Sequence, residues 1–231
     1  MAELQAFIFD LDGVITDTAE YHFLAWKQLG EELGIKIDRE FNERLKGVSR
    51  LESLNRILAL NNRETNFSLE EKEFLATKKN EHYKELIQQV TPNDLLPGIH
   101  SLLANIKSNH YKIGLASASK NAPAVIEKLQ IGNFFDTIVD AATVKRSKPD
   151  PEVFLKAAEQ MNVTAEACIG IEDAEAGIES IKAAGMFAVA VGTNEALRKK
   201  ADMTVERTNQ LKLNELIKSF QMYNDRLAKL K

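Results

Sequence analysis

Apolar and polar positions follow two textures along this chain. A short apolar run, Leu4-Gln5-Ala6-Phe7-Ile8-Phe9, stops in acidic residues and predicts a first strand. From about residue 16 to residue 90 the pattern turns helical. Phe23, Trp26, Leu29, Gly30 and Leu33 recur at spacings of three and four, the signature of one buried helix face. Ser49-Arg50-Leu51-Glu52 and Ser68-Leu69-Glu70-Glu71 read as capping boxes. Leu54, Ile57 and Leu58 follow the first; Leu75, His82, Tyr83, Leu86 and Ile87 follow the second. Three or four helices, with no strand among them, are expected here.

From Pro97 onward, short apolar strands alternate with helices. The strands are expected at 113–116, 137–139, 168–171 and 187–191. The helices are expected at 123–130 behind Asn121, after Asp150-Pro151, up to about Ala184 before Gly185, and at 211–227. Such alternation implies a parallel sheet covered on both faces. The first strand has no partner unless it joins that sheet, so the helical stretch is an insertion. The expected fold is therefore α/β, a doubly wound, Rossmann-like core (1–15 and 95–231) carrying an inserted helical domain (16–94). Gly13 to Thr18 and Thr91 to Gly98 would be its tethers.

Composition narrows the function. The 231 residues carry 30 Lys+Arg against 34 Asp+Glu, a formal net charge of −4. That balance argues against non-specific nucleic-acid binding, which needs cations to neutralise phosphates. No apolar run approaches the roughly 18–20 residues of a membrane span. The N-terminus shows no secretory pattern, and the lone Cys168 forbids an intramolecular disulfide. A cytoplasmic monomer acting on small molecules, with neither nucleic acid nor membrane as partner, is expected. No Gly-x-x-x-x-Gly-Lys loop or Gly-x-Gly-x-x-Gly fingerprint appears.

Open parallel sheets bind ligands beyond the carboxyl ends of their strands. Four carboxylates gather there, Asp10, Asp12, Glu172 and Asp173, with Lys120, Lys148, Ser117 and Ser119. Carboxylates so close repel unless something compensates. Hard oxygen ligands suit Mg²⁺, which would bridge Asp10 and Asp173 while Lys148 adds positive charge. Ser117 and the N–H groups of Ser119 to Asn121 would form a phosphate site at a helix start. Together these describe phosphoryl transfer. Asp10 and Asp12, two apart on a strand, would address one phosphoryl group, one as nucleophile and the other as general acid and base.

Asp10-Leu11-Asp12-Gly13-Val14, Ser117, Lys148-Pro149 and Gly170-Ile171-Glu172-Asp173 resemble, in order, the four motifs of the haloacid dehalogenase superfamily. The resemblance spans the chain and makes the helical insertion a cap. It implies an aspartyl-phosphate on Asp10 and acid/base action by Asp12, whose backbone carbonyl joins Asp10, Glu172 and Asp173 around Mg²⁺. Family dehalogenases lack the Asp12 carboxylate, so dehalogenation is set aside.

The stretch Asp12 to His22, Leu45 to Arg50 and Ala116 to Asn121 is similar to the sugar-phosphate mutases of that superfamily. The resemblance implies conversion of β-D-glucose 1-phosphate into glucose 6-phosphate through bound β-glucose 1,6-bisphosphate. A mutase needs a second phosphate site. Arg50, beside Gly47, Val48 and Ser49 and followed by Ser53, would supply it, helped by Lys46 and Lys78. Asp12, Ser117, Ala118, Ser119, Lys120 and Asn121 complete the substrate contacts. Thr18 and His22 would couple cap movement to binding. A Mg²⁺-dependent phosphatase of a small phosphate ester remains open, as does a non-enzymatic aspartyl-phosphate switch, although receiver domains lack the helical insertion. Cys168 is read as core, Trp26 and Phe23 as core of the insertion, and His82, His100 and His110 as helix-face or surface residues. Lys145-Arg146 and Arg198-Lys199-Lys200 are read as solvated charge, the former departing from the family pattern.

Overall fold

The computed structural model describes residues 3–45 and 48–229. In chain order the elements are β1 (Ala6–Phe9), α1 (Ala19–Glu32), α2 (Arg39–Glu43), α3 (Arg50–Ala59), α4 (Leu69–Leu86) and α5 (Ile99–Ser108). Then come β2 (Lys112–Leu115), α6 (Ala122–Lys128), β3 (Thr137–Ile138), α7 (Glu152–Gln160) and β4 (Cys168–Glu172). The chain closes with α8 (Glu175–Ala183), β5 (Phe187–Val191), α9 (Glu195–Lys200), β6 (Met203–Val205) and α10 (Leu213–Lys229).

The strands pair in the order β3-β2-β1-β4-β5-β6, all parallel. Their two-residue period sorts the core. Phe7 and Phe9 pack with Ile113, Leu115, Ile169 and Ile171 on one face. Ala6 and Ile8 pack with Cys168, Ala188, Phe154 and Ile181 on the other. Both faces are thus covered, which fixes the register, since a one-residue slip would exchange them. The strand order reverses between β1 and β4, where Phe9 is level with Ile171. Asp10 and Glu172 therefore emerge side by side at the crevice where such sheets bind ligands.

The insertion holds four α-helices and no strand among its described residues. It has its own apolar cluster, including Phe23, Trp26, Leu29, Leu54, Ile57 and Leu58. Tyr83, Ile87 and Val90 pack instead with the sheet, so α4 and the segment after it reach from one cluster into the other. The tethers lie against each other. Thr16 bridges to Asp12 and to Leu95, and its hydroxyl donates to the Asp94 carbonyl at 2.7 Å.

Several local expectations shift. Leu4 and Gln5 precede the first strand, which begins at Ala6. Ser68 and Glu71 close a reciprocal box, and at Ser49 the hydroxyl accepts the Glu52 N–H at 3.3 Å. The last helix starts at Leu213 rather than at 211. Asp150 accepts the Glu152 N–H at 3.0 Å, and α7 starts at Glu152. Asn121 makes no side-chain cap, because its carboxamide donates to Asn80 Oδ1 at 2.8 Å. The short elements α9 and β6 were not expected; six and three residues give too little periodicity to read.

Candidate active site

Asp10 leaves β1 with its N–H still donating to the Ile171 carbonyl at 3.0 Å, so the sheet itself aims the side chain. Its Oδ1 accepts from Lys148 Nζ at 2.6 Å, and the same ammonium donates to Glu172 Oε1 at 2.8 Å. The second Glu172 oxygen accepts the Ala174 N–H at 2.6 Å. Asp173 comes close because Gly13 leaves room: a Cβ there would collide with its carboxylate, and the Gly13 φ of +74° favours glycine independently.

Burial drives the titration. It lifts the Asp10 carboxyl to about 7, opposed by Lys148 and assisted by the charges of Glu172 and Asp12. Burial pulls the Lys148 ammonium down, but Asp10 and Glu172 more than offset this and leave it above its ordinary value. Asp10, Glu172 and Asp173 offer carboxylate oxygens within 4.8 Å of one another. Set against Lys148, three ionised carboxylates sum to −3 + 1 = −2, and all the donors are hard oxygens. The set fits a divalent cation such as Mg²⁺. Asp10, Glu172 and Asp173 are the residues that could hold it.

Asp12 turns the other way, toward the first tether. Its Oδ1 accepts the Thr18 hydroxyl and the Thr18 N–H, the latter at 3.2 Å. Burial raises its pKa, opposed by the Thr18 hydrogen bond, with nearby Asp17 adding to the rise. Thr18 also meets the Tyr83 hydroxyl at 3.1 Å, and Tyr83 stacks on His22 with centroids 3.9 Å apart. His22 Nδ1 lies 2.7 Å from Lys79 Nζ. A continuous polar chain thus links the acid/base candidate to α4.

One cavity of about 570 Å³ lies between the sheet edge and the insertion, within the usual size of a small-ligand site; Thr18 and Tyr83 stand behind its lining. Asp10, Asp12, Ser117, Ala118, Ser119, Lys120, Lys148, Glu172 and Asp173 form its lower wall; His22, Val48, Ser49, Arg50, Ser53 and Lys79 face them. Burial lowers the Arg50 pKa, opposed by Glu81 and Tyr83. Ser117 is buried, and its Oγ accepts the Ser119 N–H at 3.1 Å; Ser119 Oγ accepts the Asn121 N–H at 3.2 Å. The expected phosphate cradle is therefore occupied by its own serine hydroxyls. Asn121 does not line the cavity, its carboxamide being turned to Asn80. Lys46 and Gly47 lie outside the described residues.

Lys78 is a correction. It pairs with Glu32 on the exposed side of α4 and does not line the cavity. Its neighbour Lys79 does, at 3% exposure, over the rings of Trp26 and Tyr83. Ala76, Lys79, Asn80 and Tyr83 are the buried residues of α4, at helical spacing. That stripe was the available signal, missed because a lysine within it reads as polar. Trp26, expected as core, both packs in the insertion and lines the cavity. Lys145, expected as solvated charge, is exposed but also lines it. Cys168 is buried in β4, where burial pushes its thiol up to about 12.

Comparison with known proteins agrees with this geometry. The family model for haloacid dehalogenase-like hydrolases matches residues 7–191. A beta-phosphoglucomutase of Bacillus subtilis is 51% identical over 223 residues, covering 96% of this chain and 98% of the relative. A phosphorylated carbohydrates phosphatase of Thermotoga maritima is 31% identical, covering 79% and 82%. A crystal structure of beta-phosphoglucomutase from Clostridium difficile superposes with a TM-score of 0.93 at 54% identity, covering 95% of this chain and 98% of that one. No helix among the described residues is long and apolar enough to cross a membrane.

Proposed function

Since the chain belongs to the haloacid dehalogenase-like hydrolase family, we propose that it catalyses the β-phosphoglucomutase reaction. β-D-glucose 1-phosphate and glucose 6-phosphate interconvert through β-glucose 1,6-bisphosphate. The observation that carries this reading is the two-walled cavity. Asp10 and Lys148 stand on one side and Arg50 on the other, so a sugar with a phosphate at each end has a charged site for both. Near-full-length identity of 51% to a beta-phosphoglucomutase supports the mutase over the phosphatase.

An Asp10 carboxylate oxygen attacks phosphorus, and the bond from phosphorus to the sugar oxygen breaks. That oxygen takes the proton of Asp12. In the reverse direction Asp12 removes a proton from the accepting hydroxyl, and the phosphoryl group passes from Asp10 to the sugar. The bisphosphate must turn end for end between the two transfers. Asp12 suits the task because burial raises its pKa, which moves it in the direction a proton-carrying acid needs. Lys148 orients Asp10 and balances charge on the transferring group, with Ser117 as a second donor. Residues 16–94 act as the cap over 1–15 and 95–231; Thr18 and His22 relay its closure to Asp12. Asp10, Glu172 and Asp173, with the Asp12 carbonyl, would hold Mg²⁺, which when bound would supply charge neutralisation of the phosphoryl oxygens. The protein acts as a cytoplasmic monomer on soluble sugar phosphates.

The test is product identity. With β-glucose 1-phosphate, Mg²⁺ and a trace of bisphosphate, glucose 6-phosphate accumulates without matching inorganic phosphate. Stoichiometric phosphate release would instead assign a phosphatase.

A further inference from the structure

Asn80 is a polar residue on the buried stripe of α4 that the mechanism above does not use. It is 7% exposed, and its Oδ1 accepts from the Asn121 carboxamide at 2.8 Å. The bond crosses from the insertion to the core, because Asn121 stands at the end of the loop between β2 and α6.

Asn80 sits where α4 changes partners. Ala76, one turn earlier on the same face, packs in the apolar cluster of the insertion. Tyr83, on the next turn, packs with the sheet. Tyr83 also reaches the first tether, meeting the Thr18 hydroxyl at 3.1 Å. One face of α4 therefore grips both the tether that carries Asp12 and the loop of residues 117–121.

That loop is built as a ladder. Ser117 Oγ accepts the Ser119 N–H at 3.1 Å, and Ser119 Oγ accepts the Asn121 N–H at 3.2 Å. Ser117, Ala118, Ser119 and Lys120 line the cavity; Asn121 and Asn80 do not. Asn121 is the last rung, and Asn80 ties it to the insertion. Without the Asn80 oxygen, the half-buried Asn121 carboxamide loses its acceptor and must turn to water or to the loop itself. Either choice moves the end of the ladder.

We propose that Asn80 is a positioning residue for substrate binding, which acts through Asn121 to hold the 117–121 loop in the form that lines the cavity. It touches no reacting atom, so its whole effect reaches the ligand through the loop. The inference rests on the reading above for the class of ligand, a sugar phosphate. A loop that meets the ligand equally in ground and transition states changes KM and leaves kcat nearly alone.

The test is a double-mutant cycle in the full chain with Mg²⁺, using Asn80→Leu, Asn121→Ala and the two together. Dissociation constants for glucose 6-phosphate are measured in an Asp10→Asn background. Each single variant should weaken binding about three- to twentyfold, the scale of one buried hydrogen bond. With Asn121→Ala already present, Asn80→Leu should add less than about twofold, since the partner through which it acts is gone. With Asp10 intact, the KM for β-glucose 1-phosphate should rise by a similar factor while kcat changes by less than about threefold. Should Asn80→Leu melt far below the wild type, Asn80→Ser takes its place in the cycle. A wild type that releases inorganic phosphate in place of forming glucose 6-phosphate would defeat the mutase reading, and the binding cycle would still decide the role of Asn80. Unchanged binding in the single variants, additive losses in the pair, or a loss confined to kcat would overturn the proposal.

Discussion

Lys79 Nζ lies 2.7 Å from His22 Nδ1, joining α4 to α1 beside the cavity. Two cationic side chains at this distance are compatible only if one is neutral. Burial, then the charges of Lys79 and Arg50, holds the His22 imidazole well below its ordinary value of 6.5. Burial, then the charge of Arg50, also pulls the Lys79 ammonium well below its ordinary value, opposed by Asp12; with Lys79 donating, Nδ1 is the acceptor.

This arrangement makes stability depend on pH. A histidine with a depressed pKa in the folded chain gains its proton first in the unfolded chain, so acid favours unfolding. The contribution is intact above about pH 6.5 and is lost as pH falls toward the folded value, at up to about 1.4 kcal/mol per pH unit. Urea unfolding between pH 5 and 7.5 should show that slope in wild type and a flatter one in His22→Gln. Equal slopes would place the titration elsewhere.

Lys78 and Lys79 separate exposed charge from buried charge on one helix. Lys78→Ala, losing an exposed pair with Glu32, should change stability by no more than about 0.5 kcal/mol and leave turnover alone. Lys79→Met, which keeps the packed stem but removes the hydrogen bond to His22, should lower kcat/KM by roughly ten- to hundredfold. Steady-state kinetics and thermal melts on both variants check this, and similar kinetics for the two would contradict it.

Thr18 holds Asp12 through both its hydroxyl and its N–H. Thr18→Val removes the hydroxyl with little change of shape. Misplacement of an acid/base group by about 1 Å can cost on the order of 100-fold, so mutase turnover should fall by about ten- to hundredfold. Hydrolysis of the phosphoenzyme should fall less, because water has its own proton acceptors. A proportional loss in both would mean that Thr18 serves the fold and not Asp12.

Gly13 sits where any Cβ strikes the Asp173 carboxylate. Gly13→Ala should therefore displace Asp173, a proposed metal ligand, raising the Mg²⁺ concentration for half-maximal activity by about 10–100-fold. Strain at positive φ should cost roughly 1 kcal/mol or more besides. Mg²⁺ titrations of turnover after removal of metal by a chelator measure the first effect. An unshifted midpoint would detach Asp173 from the metal.

Much of the fold was legible because β1, β4 and β5 are short runs buried on both faces, and because α1 and α3 carry clear stripes. Asp10, Ser117, Lys148, Glu172 and Asp173 were legible as well, since a parallel sheet brings strand ends together whatever their distance along the chain. The wall supplied by the insertion was harder to read. Lys79 and Asn80 are polar residues on a buried stripe, and only the docking of α4 against the tether shows which helix face they occupy. The same holds for Asn121: its position suits a helix cap, but the partner that captures its carboxamide is 41 residues away.

The central claim is that Asp10 becomes covalently phosphorylated. The direct measurement is rapid acid quench of the Mg²⁺-loaded enzyme after mixing with bisphosphate labelled in its phosphates, followed by proteolysis and mapping of the label. The account predicts label on the peptide carrying Asp10, appearing at least as fast as turnover, and absent in Asp10→Ala together with all mutase activity. Label on another residue, or glucose 6-phosphate formed above background by Asp10→Ala, would contradict it.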